Sequence, residues 1–278
     1  MKKFFSTVWS VLRYLLIYLG SSFIASMLMG AYFAFKYAGD ADKIDEALQR
    51  NVLQLTGIIS LISLVVFLVI VKFCHKSIKD FIQFKKMTFS DEVYCVGITI
   101  AFAFFSVSLI NLVINIFPSY QQVSETFVTS MDNVVGILLA VILIPIFEEI
   151  FFRGIILNEL QNRINTVASI IISSLIFALF HGNILQGIYT FIMGVLLSLV
   201  YIWTRSIWSA ITFHITYNFL GTMVVPVIIY YTESFIVGYL IIGGLLTAVI
   251  TYLMYKRNKN RNYEQQSMLK VQLYKRDI

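Results

Sequence analysis

Apolar runs long enough to cross a lipid bilayer recur eight times along this chain, and no other feature limits its fold so strongly. A crossing α-helix needs roughly 20 apolar residues at about 1.5 Å rise each. Of the 278 residues 59% are hydrophobic, only 13% are charged and three are prolines, a balance that a water-soluble domain of this length could not hide. The expected fold is an all-α membrane protein: a bundle of about eight transmembrane helices in a single integral domain, 1–278. The runs predict helices at about 11–35, 53–73, 93–117, 134–157, 167–180, 185–203, 207–229 and 235–255.

Where the charges fall gives an orientation. The net charge of +6 comes from basic residues lying beside membrane helices, which points to a lipid surface and not to nucleic acid. With the N-terminus inside, the inner connections hold Lys2 and Lys3, the cluster around Lys76, Arg163, Arg205 and a basic tail over 256–278. The outer ones hold only Lys36, Lys43 and Arg50. Positively charged loops stay in the cytoplasm, so both termini are expected there, in a multi-pass protein of a bacterial plasma membrane. Trp9, Trp203 and Trp208 fall at the same expected interface. Lys2 and Lys3 before an apolar run resemble a signal peptide, but the run is long enough to span and is read as an uncleaved first helix. Lys79, Lys85 and Lys86 alternate with Ile78, Phe81, Ile82 and Phe84, which suits a segment lying on an anionic membrane surface or a solvated loop. Cys74 and Cys95 are read as free thiols among the helices.

Charges inside the fourth run break the pattern. FEEIFFRG puts Glu148, Glu149 and Arg153 among Ile and Phe, where ionisable side chains cost several kcal/mol and mark functional sites by default. At about 100° per residue, Glu149 and Arg153 (i,i+4) share a face while Glu148 looks elsewhere. Pro145 removes a backbone donor and is expected to free the carbonyl of Val141 and kink the helix ahead of the glutamates. Phe177 and His181 share a face in FALFH, before Gly182 and Asn183 interrupt the helix. His214 and Asn218 share another in FHITYN. His75 sits in the basic junction and is given no role. A buried structural ion network with packing histidines, or a proton relay in a transporter, remains open on these residues alone.

These residue types suit peptide hydrolysis. A carboxylate held away from water is a stronger base toward a water molecule, and imidazole and amide groups can move its proton or donate to an oxyanion. Glu148, His181 and His214 could instead hold zinc, one carboxylate and two imidazoles leaving a position for water. There is no H-E-x-x-H helix.

The order E-E-x-x-x-R, F-x-x-x-H, H-x-x-x-N, met at every position from Glu148 to Asn218, resembles the signature of the CPBP intramembrane proteases. That family takes in type II CAAX prenyl endopeptidases and bacteriocin self-immunity proteins. The resemblance covers about 134–222, the expected catalytic core, and implies a site in the membrane open to the cytoplasmic side. It implies that Glu148 and His181 activate water, that His214 and Asn218 stabilise the oxyanion, and that Glu149, Arg153 and Phe177 support them. No cofactor is then needed, zinc being the alternative. The partners implied are a peptide or membrane-protein substrate and the bilayer; a catalytically silent scaffold acting by binding is the competing function. Counting from the expected cytoplasmic ends puts Glu148 and His214 about 10–14 Å deep and His181 near 20 Å, so helix five is expected to start later than Val167.

Overall fold

The computed structural model describes the backbone of residues 2–74 and 77–274 and the side chains of 6–73 and 77–261. His75, Lys76, Lys275 and Arg276 lie outside the described residues, as do the side chains of Lys2, Lys3, Cys74 and Lys270. The described residues contain no strand. In chain order the helices are α1 (Lys2–Lys36), α2 (Ala41–Arg50), α3 (Val52–Cys74), α4 (Ile78–Ile82), α5 (Phe89–Val113) and α6 (Pro118–Ser130). Then come α7 (Val134–Gln161) and α8 (Thr166–Leu179). They are followed by α9 (Ile184–Thr204), α10 (Ile207–Tyr231) and α11 (Ile236–Tyr274). Seven are long and apolar enough to cross a membrane: α1, α3, α5, α7, α9, α10 and α11. The eighth apolar helix, α8, has only 14 residues and spans about 21 Å.

Caps set the helix starts. Asn133, Asn165 and Asn183 accept from the amides of Gly136, Ala168 and Gln186 and open α7, α8 and α9. Thr88 does the same for α5 through Asp91. Between α8 and α9 the chain reverses at Gly182 (φ +68°), a left-handed turn that glycine adopts at no steric cost. The polar connections 41–50 and 118–130 are helical too, as α2 and α6, where the sequence suggested only loops.

Buried ion pairs lock the end of the bundle that carries the basic tail. Asp91, 1% exposed, accepts from Arg257 and Arg261, which fastens α11 to α5. Arg13 and Arg163 both meet Glu159 and fasten α1 to the end of α7. The segment 78–86 packs into this end through Ile82 and leaves Lys79, Lys85 and Lys86 exposed. Ile82 is fully buried. Asn158 donates to the Phe81 carbonyl at 2.6 Å and Ile207 donates to that of Gln83 at 3.0 Å, so backbone that sheet or helix leaves unpaired is satisfied by the bundle. A Cβ on Gly154 would come within 2.8 Å of Ile82 Cγ2, which shows how closely α7 seats the segment. In the core, Phe67, Phe147 and Phe151 stack at 4.7 to 6.3 Å between ring centres, with Tyr18 against the last two.

Candidate active site

Two prolines shape the helices that carry the site. Ahead of Pro145, α7 widens into a π-helical turn over Leu139–Leu143. In that register a carbonyl faces the amide five residues on, so the one facing Pro145 belongs to Ala140. Asn218 Nδ2 fills the vacancy, donating to the Ala140 carbonyl at 2.9 Å. The same device recurs in α10, where a π turn over Leu220–Val224 precedes Pro226. A third π segment, Ile150–Leu157, follows the glutamates directly.

The charged stretch divides as its helix faces require. Glu149 and Arg153 are both fully buried, with Arg153 Nη1 donating to Glu149 Oε1 at 2.9 Å. Nη2 of Arg153 donates to the Gly194 carbonyl at 3.3 Å, and its guanidinium lies 4.4 Å from the centre of the Phe177 ring. The same Glu149 oxygen also takes His214 Nδ1 at 2.6 Å. That second bond was not foreseen, because sequence spacing cannot show contacts between α7 and α10. Phe177 is the common wall: its ring meets His181 edge-on at 4.8 Å and His214 at 5.9 Å.

Glu148 is the freer acid, its side chain 22% exposed, with Oε2 3.6 Å from His214 Nε2. His181 places Nδ1 2.9 Å from the Phe177 carbonyl. A carbonyl only accepts, so Nδ1 carries the hydrogen and Nε2 of the neutral ring is left with a lone pair. Glu148 and His181 line one cavity of about 50 Å³, and Asn218 is not among its lining residues. The other walls are Tyr18, Thr56, Ser60, Phe147, Phe152 and Phe180. Tyr18, Thr56 and Ser60 come from α1 and α3 and were missed from sequence. The available signal was the i,i+4 pair of hydroxyls, Thr56 and Ser60, on one face of a mostly apolar helix.

Glu148, His181 and His214 do not gather as a metal site. Among the described residues no group of three or more His, Cys, Asp or Glu side chains could hold an ion. His214 spends Nδ1 on Glu149 and His181 spends Nδ1 on a backbone carbonyl, so each ring has Nε2 left for the site.

Depth needs correction. Helix five starts at Thr166 and not later than Val167 as the depth count required, and it is α7 that runs four residues past 157, to Gln161. Glu148 therefore lies thirteen residues from the basic end of its helix, about 20 Å, and His181 fifteen residues from Thr166, about 22 Å. Ser60, on the same cavity, is only eight residues from the opposite end of α3, about 12 Å. Asn183, two residues past His181, reaches Ser119 on α6, at that opposite end. Glu148 is fourteen residues from the other end of α7, and His214 only seven from Ile207 at the basic end of α10, about 10 Å, so the site residues are spread over the middle of the bundle.

Comparison with known proteins bears on the same helices. Residues 130–220 match the family described as type II CAAX prenyl endopeptidase Rce1-like. The chain is 28% identical over 247 residues to a protein of Bacillus subtilis named as the membrane peptidase YdiL, covering 83% of this chain and 96% of that one. It is 41% identical over 80 residues to the membrane-embedded CAAX protease MroQ of Staphylococcus aureus, 27% of this chain and 32% of that protein. No solved structure matches. The motifs on α7, α8 and α10 of this multi-pass membrane protein thus lie within the segment that matches the Rce1-like family.

Proposed function

We propose that this protein is an intramembrane endopeptidase in which Glu148 and His181 activate a water molecule and His214 and Asn218 stabilise the oxyanion. The observation that carries the reading is the shared cavity: Glu148, the more exposed of the two acids, and His181 line one small space. Water attacks the peptide carbonyl as its proton passes to Glu148. The new C–O bond is complete in the tetrahedral intermediate, and the C–N bond breaks as that proton reaches the leaving nitrogen.

His214 donates Nδ1–H to Glu149, so Nε2 can donate to an oxyanion only when the ring carries a second proton. The reading therefore requires an imidazolium at His214, between Glu149 and Glu148. Asn218 spends one amide hydrogen on the Ala140 carbonyl and keeps the other. Glu149, Arg153 and Phe177 hold this arrangement and take no part in the bond changes. The substrate is a peptide or a membrane-protein segment.

A null strain complemented with wild type, Glu148→Ala, His181→Ala or His214→Ala tests the reading. Loss of complementation by all three at normal protein levels is expected. Full rescue by all three would leave a scaffold that acts by binding.

A further inference from the structure

We infer that the cavity beside Glu148 is the seat of the hydrolytic water and that Ser60, on α3, is a positioning residue for it. The inference rests on the peptidase reading and extends it to helices outside the matched segment 130–220.

Hydroxyls on membrane helices ordinarily satisfy themselves on the carbonyl four residues back. Thr56, Thr99, Thr190, Ser198, Thr204 and Thr247 all do so here, at 2.7 to 2.8 Å. Ser60 does not: it is 5% exposed and its Oγ has no hydrogen-bond partner among the described residues. Ser63, Ser108 and Ser174 are unpartnered as well, but Ser60 alone of the four lines the cavity that holds Glu148 and His181.

A buried hydroxyl without a partner is costly, and water is the usual remedy where the space is polar and large enough. About 10–15 Å³ suffices for one molecule, and this cavity has about 50 Å³. A water seated there donates to Glu148 and to His181 Nε2 and accepts the hydroxyl hydrogen of Ser60. One lone pair remains for the carbonyl carbon. The rings of Phe147 and Phe180, both packed against Tyr18, keep the pocket narrow, so the water is held in place by its polar contacts.

The test uses full-length protein in nanodiscs, with internally quenched CAAX peptides, farnesylated and unmodified, as probes. Ser60→Thr and Ser60→Val have nearly the same shape and differ by the hydroxyl. Ser60→Val and Ser60→Ala should lower kcat about 3- to 10-fold with KM unchanged, the loss of one hydrogen bond, while Ser60→Thr keeps most of the rate. Equal rates for Thr and Val would overturn the inference and leave the peptidase reading standing, whereas an undiminished Glu148→Gln would sink that reading. Radiolytic footprinting in ¹⁸O-labelled water reads the cavity without any substrate. Phe147 and Phe180 should take up label in wild type and about 3-fold less in Ser60→Val; unlabelled rings in wild type would mean a dry cavity and overturn the inference.

Discussion

Arg153 is the residue whose loss should be felt most, and the structure sets the size of the effect. Its guanidinium is fully buried, pairs with Glu149 at 2.9 Å, donates to the Gly194 carbonyl and lies over Phe177. In Arg153→Met the methionine fills most of the space, but the Glu149 carboxylate is left buried with His214 as its remaining partner. Breaking one side of a buried ion pair costs about 3–5 kcal/mol, most of it the stranded charge and not the lost contact. Glu149→Gln/Arg153→Met carries no stranded charge and should recover about 2 kcal/mol relative to the sum of the single variants. Arg153→Lys keeps the charge but not the planar fork, so it should fall between wild type and Met. Reversible unfolding in mixed micelles of increasing SDS content gives these differences directly. An Arg153→Met protein within about 1 kcal/mol of wild type, with no coupling in the double variant, would refute the argument that this pair organises α7.

Other expectations follow from the same contacts. Gly154→Ala presses a methyl against Ile82 and should cost about 1–3 kcal/mol, read in the same unfolding assay. A cysteine placed at Lys85 should then label faster, because the segment loses its seat. Asp91→Asn leaves Arg257 and Arg261 without their shared anion and should cost about 2–4 kcal/mol; an unchanged midpoint would mean that the α5–α11 lock contributes little. Cysteines at Lys43 and Lys259 should react with impermeant maleimide from opposite sides of right-side-out vesicles, Lys43 from outside. Labelling of Lys259 from outside would turn the bundle over and contradict cytoplasmic termini.

Much of this was legible in sequence because periodicity and length are local properties. The apolar runs located every spanning helix, and the i,i+4 spacing separated Glu149 from Glu148 before any contact was known. What stayed hidden was non-local or a matter of register. Spacing along α7 cannot show that Glu149 also holds His214, nor that α1 and α3 close the cavity with Tyr18 and Ser60. Pro145 signalled a disturbed helix, but the chain resolves it as a π turn, which moves the orphan carbonyl from Val141 to Ala140 and gives Asn218 its anchor. Alternating Lys and Ile over 78–86 looks amphipathic on any surface, and only the groove beside Gly154 shows that Ile82 is buried in protein and not in lipid.

The central claim is that Glu148 activates water. Its most direct test is the turnover of quenched peptides by purified Glu148→Gln, compared with wild type of equal unfolding midpoint. Removing a general base should cost about 10²- to 10⁴-fold in kcat, with peptide binding retained. Turnover within a few-fold of wild type would contradict the account.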